Sequence, residues 1–529
     1  MKNSILSLLL GLFICPALLL TSCNKGPGPV TEAPVKFSPQ IPVDVDPALQ
    51  EKLKKEGDIY SLNQRFNEYS WQALVAIFWP RDKDGKPMPD FTDAGKATWL
   101  GWKEAFQVYR KDGDTPTAWG SKRTGAGLQL SAEMLNDEDT RLVLSSVTPT
   151  HAVRSRNFAD EVDQAFAGKL FDQNGNLVYY EVLMNESEFN YVVNNTLYNI
   201  NGQIAFSEKN PAANFPAGDY KKDSVGAVEI KFAWKILEAN DHKERYFRNQ
   251  GYIFDSAQQK YVKKDLGMIG FHISQKTPTG KQWVWSTFEQ IDNLTENVVE
   301  KDGKRVLIHP SLTDPACEIC PVNIDVTNGG TTYTYNENKH SSFWTISGDP
   351  TDKYFANGKV MKTQAKRMVD IPQRVQDINR LMQAYFRSKN SVWQYYQLID
   401  TQYPLDQNAP PASHTDSGYH LPQSVNNKPG GNPNLALLTN ITMETFFQKG
   451  NQSASNLMEG GPQSDITIFG TESCMGCHSS AGIYNGGSNG NFTQGGQLTG
   501  DFSWLLTQRA NWYSKQISPA AFFAARKKP

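Results

Sequence analysis

The chain has 529 residues, of which 39% are hydrophobic, 11% aromatic and 20% charged. Lys and Arg number 53 against 55 Asp and Glu, a formal net charge of −2 that lacks the basic excess of a nucleic-acid binder. A mean hydropathy of −0.53, with 12 Trp, 21 Tyr and 27 Phe, excludes a polytopic membrane protein and a disordered chain alike. At roughly 150 residues per domain the length allows two to four domains.

The N-terminus has the form of an export signal. Lys2 precedes an apolar run from Ile5 to Leu20 that contains Pro16 and falls short of the roughly 20 residues a spanning helix needs. Leu20-Thr21-Ser22-Cys23 resembles the bacterial lipobox, which predicts a signal peptide over residues 1–22 and acylation of Cys23. Several acyl chains on one residue anchor a protein to a membrane where a single chain does not. Residue 24 is Asn rather than Asp, which by resemblance to enteric sorting rules favours the outer membrane. No acidic cluster follows Cys23, so the expected face is the periplasmic one. Residues 23–50, with Pro27, Pro29, Pro34, Pro39, Pro42 and Pro47, are expected to form a tether. At about 3.1 Å per residue such an extended coil reaches roughly 70 Å from the lipid.

The body, residues 51–404, is expected to be one large α+β domain. Tyr60 to Trp79 carries Leu62, Phe66, Tyr69, Leu74, Ile77 and Phe78 at helical spacings, and Pro80 ends the pattern. Trp99 to Tyr109 predicts another helix, and Tyr179 to Asn199 a short strand followed by a helix. Val228 to Ile236 alternates strictly and predicts a half-buried strand. Strand-like runs at Tyr246–Phe254, Leu266–Ser274 and Gln282–Phe288 follow after short turns, as in an antiparallel meander with helices around it. Ile371 to Phe386 places Val375, Ile378, Met382 and Phe386 on one helical stripe. Residues 405–434 are rich in Pro, Asn and Gly and predict a linker or long loop. The C-terminal segment, 435–529, is expected to be small and mainly helical, with helices over Asn434–Gln448 and Phe502–Trp512.

The cysteines carry the chemistry. Of six, Cys15 leaves with the signal and Cys23 takes the lipid, so two pairs remain. Ser473-Cys474-Met475-Gly476-Cys477-His478 is a C-x-x-C-H string, the attachment signature of a c-type haem. Two thiols on one turn add to the two vinyl groups of the macrocycle, and the next residue offers an imidazole to the iron. The competing readings are a structural disulfide and half of a zinc site, which needs two more ligands. Cys317-Glu318-Ile319-Cys320 is followed by Pro321 and is no second haem site. In an exported chain Cys317 and Cys320 are expected to form a local disulfide. A thioredoxin-like pair and a zinc site shared with the downstream pair are the alternatives. Neither Met nor His follows His478, so a sixth ligand would have to come from upstream or from another molecule, or the position is open. Met458 is the preferred distal candidate, ahead of Met443, His414 and His420. A filled position suits simple electron transfer, and a vacant one suits ligand binding or peroxidase-like chemistry.

One acid–base pairing can be tested on the sequence. If Lys276 to Gly280 is the hairpin loop, His272 sits near Val284, and Glu289 is roughly 16 Å further along at 3.3 Å per residue. A His272–Glu289 dyad is therefore not expected. Glu289, Asp292 and Asn293 read as a solvated turn at the strand end, with a joint polar site as the alternative.

Several segments resemble a known family. Ser70-Trp71-Gln72, Gly270-Phe271-His272-Ile273, Trp283-Val284-Trp285-Ser286-Thr287-Phe288-Glu289, Val392-Trp393-Gln394-Tyr395-Tyr396 and the C-x-x-C-H string are similar to segments of large exported bacterial "cytochrome c family" proteins. The resemblance spans residues 66–510 and implies Cys474 and Cys477 as thioether anchors, with His478 as proximal ligand. It supplies neither a substrate nor a distal ligand. The expectation is a lipid-anchored monohaem c-type cytochrome that exchanges single electrons with a redox partner protein or a small-molecule donor or acceptor. A haem oxidoreductase with an open distal site and a haem-free, glycan- or ligand-binding outer-membrane lipoprotein are the alternatives.

Overall fold

The structure, a computed structural model, describes residues 32–142, 168–316, 363–410, 430–448, 473–485 and 499–513, apart from isolated positions within them. Short pieces at 163–164, 322–323, 332–335 and 344–347 are also described. The expected signal peptide, Cys23, Cys317, Cys320, His414, His420 and Met458 lie outside the described residues. Among the described residues no helix is long and apolar enough to cross a membrane.

Helix α1 (Pro47–Glu56) begins where the Asp46 carboxylate accepts from the Ala48 and Leu49 amides at 2.8 and 3.2 Å, with Pro47 in the first turn. Gly57, at φ 72°, ends it in the left-handed conformation that a residue without Cβ adopts at little cost. Helix α2 (Ile59–Ile77) starts at Asp58, which accepts from the Ser61 amide at 3.0 Å, and covers the span its apolar spacing predicts.

The frame is mixed α/β, one large curled sheet of eight strands with few helices. In chain order the strands and the helices between them are β1 (Lys103–Glu104), β2 (Arg141–Leu142), β3 (Tyr179–Met184), α3 (Glu186–Asn194), α4 (Ile200–Ser207) and β4 (Val228–Ile236). They continue with β5 (Arg248–Asp255), β6 (Lys260–Thr277), β7 (Gly280–Gln290), α5 (Gln373–Ser388) and β8 (Tyr396–Gln402). The sheet order is β8-β7-β6-β4-β3-β1, each neighbour antiparallel. It departs from a simple meander at two points: β4 pairs with β6 rather than with β5, and β2, skipped between β1 and β3, pairs in parallel with β5. Leu266 and Gly267 of the 18-residue β6 pair with β4 on one edge and β5 on the other, so a single long strand serves two partners in succession.

One face of the sheet lies under α2 and α5. Val228, Ile230, Phe232 and Trp234 of β4, Phe271 and Ile273 of β6, Phe288 of β7 and Leu398 of β8 bury there against Trp71, Leu74, Val375 and Met382. Phe271 stacks on Phe288 at 4.8 Å and 11°, and Trp71 meets Phe288 edge-on at 5.0 Å. Ser70 bonds Ser286 and Thr401 at 2.7 and 2.6 Å, satisfying the hydroxyls that this contact buries. Trp71, Phe271, Phe288, Trp393 and Tyr396, scattered over more than 300 positions, thus meet in one layer, and the predicted stripe of α5 faces it.

The opposite face is covered by the C-terminal segments. Met475, Ile483, Tyr484, Phe502, Leu505 and Leu506 cluster with Val182 and Met184 of β3 and with Trp283 and Trp285 of β7. The C-terminal residues therefore share a core with the sheet.

Three predicted helices differ. Trp99–Tyr109 is a 3-10 turn at Thr98–Gly101, strand β1 and one helical turn at Ala105–Val108. Glu104 is drawn into the sheet edge by Arg123 and Arg141, at 2.9 and 3.0 Å, so ion pairing overrides local propensity. Asn434–Gln448 is turns and a short 3-10 segment. There Asn440 accepts from the Thr442 amide at 2.8 Å and the Asn440 amide donates to Glu444 at 2.8 Å, side-chain bonds that compete with a helix. Phe502–Trp512 is helical only at Leu505–Arg509, because Asp501 and Phe502 turn the chain beforehand.

Candidate functional site

The C-x-x-C-H string forms helix α6 (Cys474–His478), a single turn lying against β7. Ser473 caps it, its hydroxyl accepting from the Gly476 amide at 3.3 Å. Gln402, fully buried at the end of β8, fastens that cap to the sheet. Its Oε1 accepts from the Met475 amide at 2.8 Å, and its Nε2 donates to Ser473 Oγ at 2.8 Å. Met475 points into the apolar cluster beneath. Cys474 and Cys477, three residues apart, share a face of the turn, and His478 follows.

The His478 imidazole is held in one tautomer. Its Nδ1 lies 2.7 Å from the Phe502 carbonyl, which only accepts, so Nδ1 carries the hydrogen and Nε2 keeps its lone pair. The ring rests on Trp285, with centroids 4.4 Å apart. Burial pushes the imidazole down to about 4, against the opposing pull of the Phe502 carbonyl, with His272 and Lys231 lowering it further, so the ring is neutral near pH 7. Burial also pushes the Cys474 thiol well up, helped by Glu444 and Cys477.

The carbonyl that orients His478 is aimed by a left-handed turn. Asp501 and Phe502 adopt φ of 48° and 70°, each costing about 1–2 kcal/mol for an L residue. The surroundings hold the turn in place. Asp501 is ion-paired with Lys276 and accepts from the Phe215 amide at 2.6 Å. Gly500 donates to the Ala481 carbonyl at 3.1 Å and passes so near the Gly482 backbone that a Cβ would come within 2.9 Å of it.

A second polar pair stands on the same face of the sheet. His272 of β6 bonds Glu444 Oε1 at 3.0 Å, and Glu444 Oε2 accepts from the Asn440 amide. Burial raises the Glu444 carboxyl, but His272, the Asn440 amide and Lys231 outweigh it and bring the group below its ordinary value. His272 pairs in register with Lys231 on one side and Thr287 on the other, diagonal to the Trp285 that carries His478.

This register corrects two sequence expectations. The β6–β7 hairpin closes at Thr277 and Gly280, so the loop is Pro278-Thr279 and not the five residues expected. Glu289 thus stands opposite Gly270, two positions from His272 along the sheet rather than roughly 16 Å away. The absence of a dyad has a different cause: Arg367 and the Ile441 amide engage Glu289, and Glu444 engages His272. Nor is the strand end a solvated turn. Glu289, Asp292 and Asn293 are buried; Asp292 binds Arg245 through two bonds of 2.6 Å, and Asn293 donates to the Ile269 carbonyl at 2.7 Å. Met443 is fully buried under the sheet, among Ile269, Ile441 and Leu312.

Two thiols on one turn, followed by an imidazole whose Nε2 keeps its lone pair, are a donor set that could hold a covalently attached haem. Among the described residues no group of three or more His, Cys, Asp and Glu side chains converges as a cage for a bare ion. Gln402, Glu444 and the Phe502 carbonyl carry no local motif, and Trp285 stands in a segment that the sequence singles out without a role. They reach α6 only through strand register and chain reversal. No protein-family model, curated protein sequence or solved structure matches this chain.

Proposed function

We propose that the protein is a lipid-anchored, extracytoplasmic c-type cytochrome with one haem in a cytochrome c-like C-terminal segment. Cys474 and Cys477 anchor the macrocycle, and His478 Nε2 ligates the iron. The observation that supports this reading best is the 2.7 Å bond from His478 Nδ1 to the Phe502 carbonyl. Fixing the far nitrogen of a ligating histidine on a backbone carbonyl sets its tautomer and raises its basicity. The bound group supplies a one-electron carrier, and the chain's own residues orient it: Gln402 and Ser473 hold the turn, Trp285 backs the imidazole, and the Asp501–Phe502 turn supplies the acceptor. Anchorage through Cys23, periplasmic exposure at the outer membrane and exchange of electrons with a partner protein or small molecule complete the proposal.

Haem staining of the denatured protein tests it, after expression with the c-type maturation machinery and beside a Cys474→Ala/Cys477→Ala control. The expected result is a stain that stays with the wild-type band and is lost in the control. A colourless wild-type band after competent maturation overturns the reading and leaves a haem-free binding lipoprotein.

The His272–Glu444 pair favours a second reading, a haem oxidoreductase with an open distal position. Its 3.0 Å bond places a carboxylate-backed imidazole on the face that carries α6. Carbon monoxide uptake by the reduced native protein supports this reading, and refusal supports simple electron transfer.

A further inference from the structure

Behind the left-handed turn lie two acids that attachment and ligation do not use, the buried Glu188 and the half-buried Glu229. Ser503, next to the Phe502 whose carbonyl holds His478, donates its hydroxyl to Glu229 Oε2 at 3.0 Å. Glu229 stands on β4, paired in register with Met184 and Ser274. Helix α3 is fastened to the start of the same strand through its cap: Asn185 accepts from the Val228 amide at 3.1 Å and from the Glu188 amide at 3.0 Å. Glu188, in the first turn of α3, is completely buried, and neither carboxylate oxygen has a hydrogen-bond partner among the described residues. A charged carboxylate in that position would forfeit its hydration without compensation.

We infer that Glu229, with Glu188 beside it, is a proton-binding site coupled to the redox state of the group on His478. As one electron arrives from an external one-electron donor, Glu229 takes one proton from solvent, and it returns the proton when the electron leaves. Only an O–H bond forms and breaks, and the proton's charge balances the electron's. The inference rests on the haem reading of Cys474, Cys477 and His478.

The electrostatic setting agrees with the geometry. Burial pushes the Glu229 carboxyl up to about 7, against the lowering effects of the Ser503 hydroxyl, Lys231 on the same strand and Arg509 of α7 (Leu505–Arg509). Burial pushes Glu188 well above its ordinary value, and Glu229 and Asp501 add like-charge repulsion. Tyr109 also faces the two glutamates and is pushed well up by burial and by both of them. Burial also pushes the Asp501 carboxyl up to about 6, against the lowering effects of its ion pair with Lys276 and of the Phe215 amide, so Glu229 is the higher-titrating of the two. At a separation on the order of 10 Å, a unit change of charge moves a buried carboxyl's titration by about one pH unit.

The test is the haem midpoint potential of the stained holoprotein across neutral pH. The potential is expected to fall by about 59 mV from its acidic to its alkaline plateau, the value of one tenfold shift for one electron. Glu229→Gln should abolish that fall, and Glu229→Asp should retain part of it. A flat wild-type profile, or one that survives Glu229→Gln/Glu188→Gln because the haem propionates cause it, overturns the inference. An independent readout uses the haem-free Cys474→Ala/Cys477→Ala protein. There an infrared band of protonated carboxyl should persist at neutral pH and vanish with Glu229→Gln/Glu188→Gln; its absence also overturns the inference. Failure to attach haem removes the haem reading and the coupling together, whereas attached haem with a flat profile removes the coupling alone.

Discussion

The two faces of the central sheet are made of the same strands but organised by different physics. Beneath α2 and α5, alternate residues of β4 and β6 are Val, Ile, Phe and Trp, joined by Phe288 of β7, and the aromatic ones interlock as rings. On the other face, the intervening positions are Glu229, Lys231, His272, Trp285 and Gln402. The first face maximises apolar burial and is the stabilising half. The second holds polar groups at low solvent access and accepts two left-handed residues to aim one carbonyl. A strand's period of two lets one stretch of chain serve both ends, because each face sees every other residue.

Breaking the first face should cost most. Trp71→Ala removes a fully buried indole packed on Phe288 and Phe386, and is expected to lower unfolding free energy by about 4 kcal/mol. Urea denaturation measures this, and in the folded variant the His478 Nδ1 proton resonance should keep its hydrogen-bonded shift. A large loss of that resonance would mean the two faces are not separable.

The polar face should reveal itself through pH. Because the Glu229 carboxyl sits near 7 when folded and near its ordinary 4.5 when unfolded, the unfolded chain ionises first as pH rises. Its contribution to stability is therefore full below about 4.5 and is lost as pH climbs through about 7. Glu229→Gln should remove its share of this decline, to which Asp172, Asp400 and Asp501, each pushed up to about 6, also contribute, and gain roughly 3 kcal/mol at pH 8 over the wild type, read from denaturation midpoints at several pH values. Equal slopes in both proteins would place the decline elsewhere. The smallest effect is expected at the cap of α6. Ser473→Ala should cost about 1 kcal/mol, since Gln402 still accepts from the Met475 amide. A loss several times larger would show that the Gln402–Ser473 pair, rather than the cap alone, fastens the turn to the sheet.

Local pattern was legible wherever local forces decide. Helix α2, the strand at Val228–Ile236 and the stripe of α5 follow from spacing, since apolar periodicity fixes which face is buried. The misread stretches are those in which a distant partner outweighs propensity. Arg123 and Arg141 pull Glu104 into a strand, and Asn440 and Glu444 tie the chain after residue 434 into turns. A hairpin loop of two residues instead of five moved His272 and Glu289 within two positions of each other.

The C-x-x-C-H string alone dictates the chemistry on offer, because the helix repeat sets its two thiols and imidazole on one turn. How that turn is supported depends on distant parts of the chain. The Phe502 carbonyl, Trp285, Gln402 and the Glu188–Glu229 pair come from points scattered across the chain, brought together because two sides of one sheet must each be covered. Register and chain reversal are global properties, set by the burial of the whole sheet.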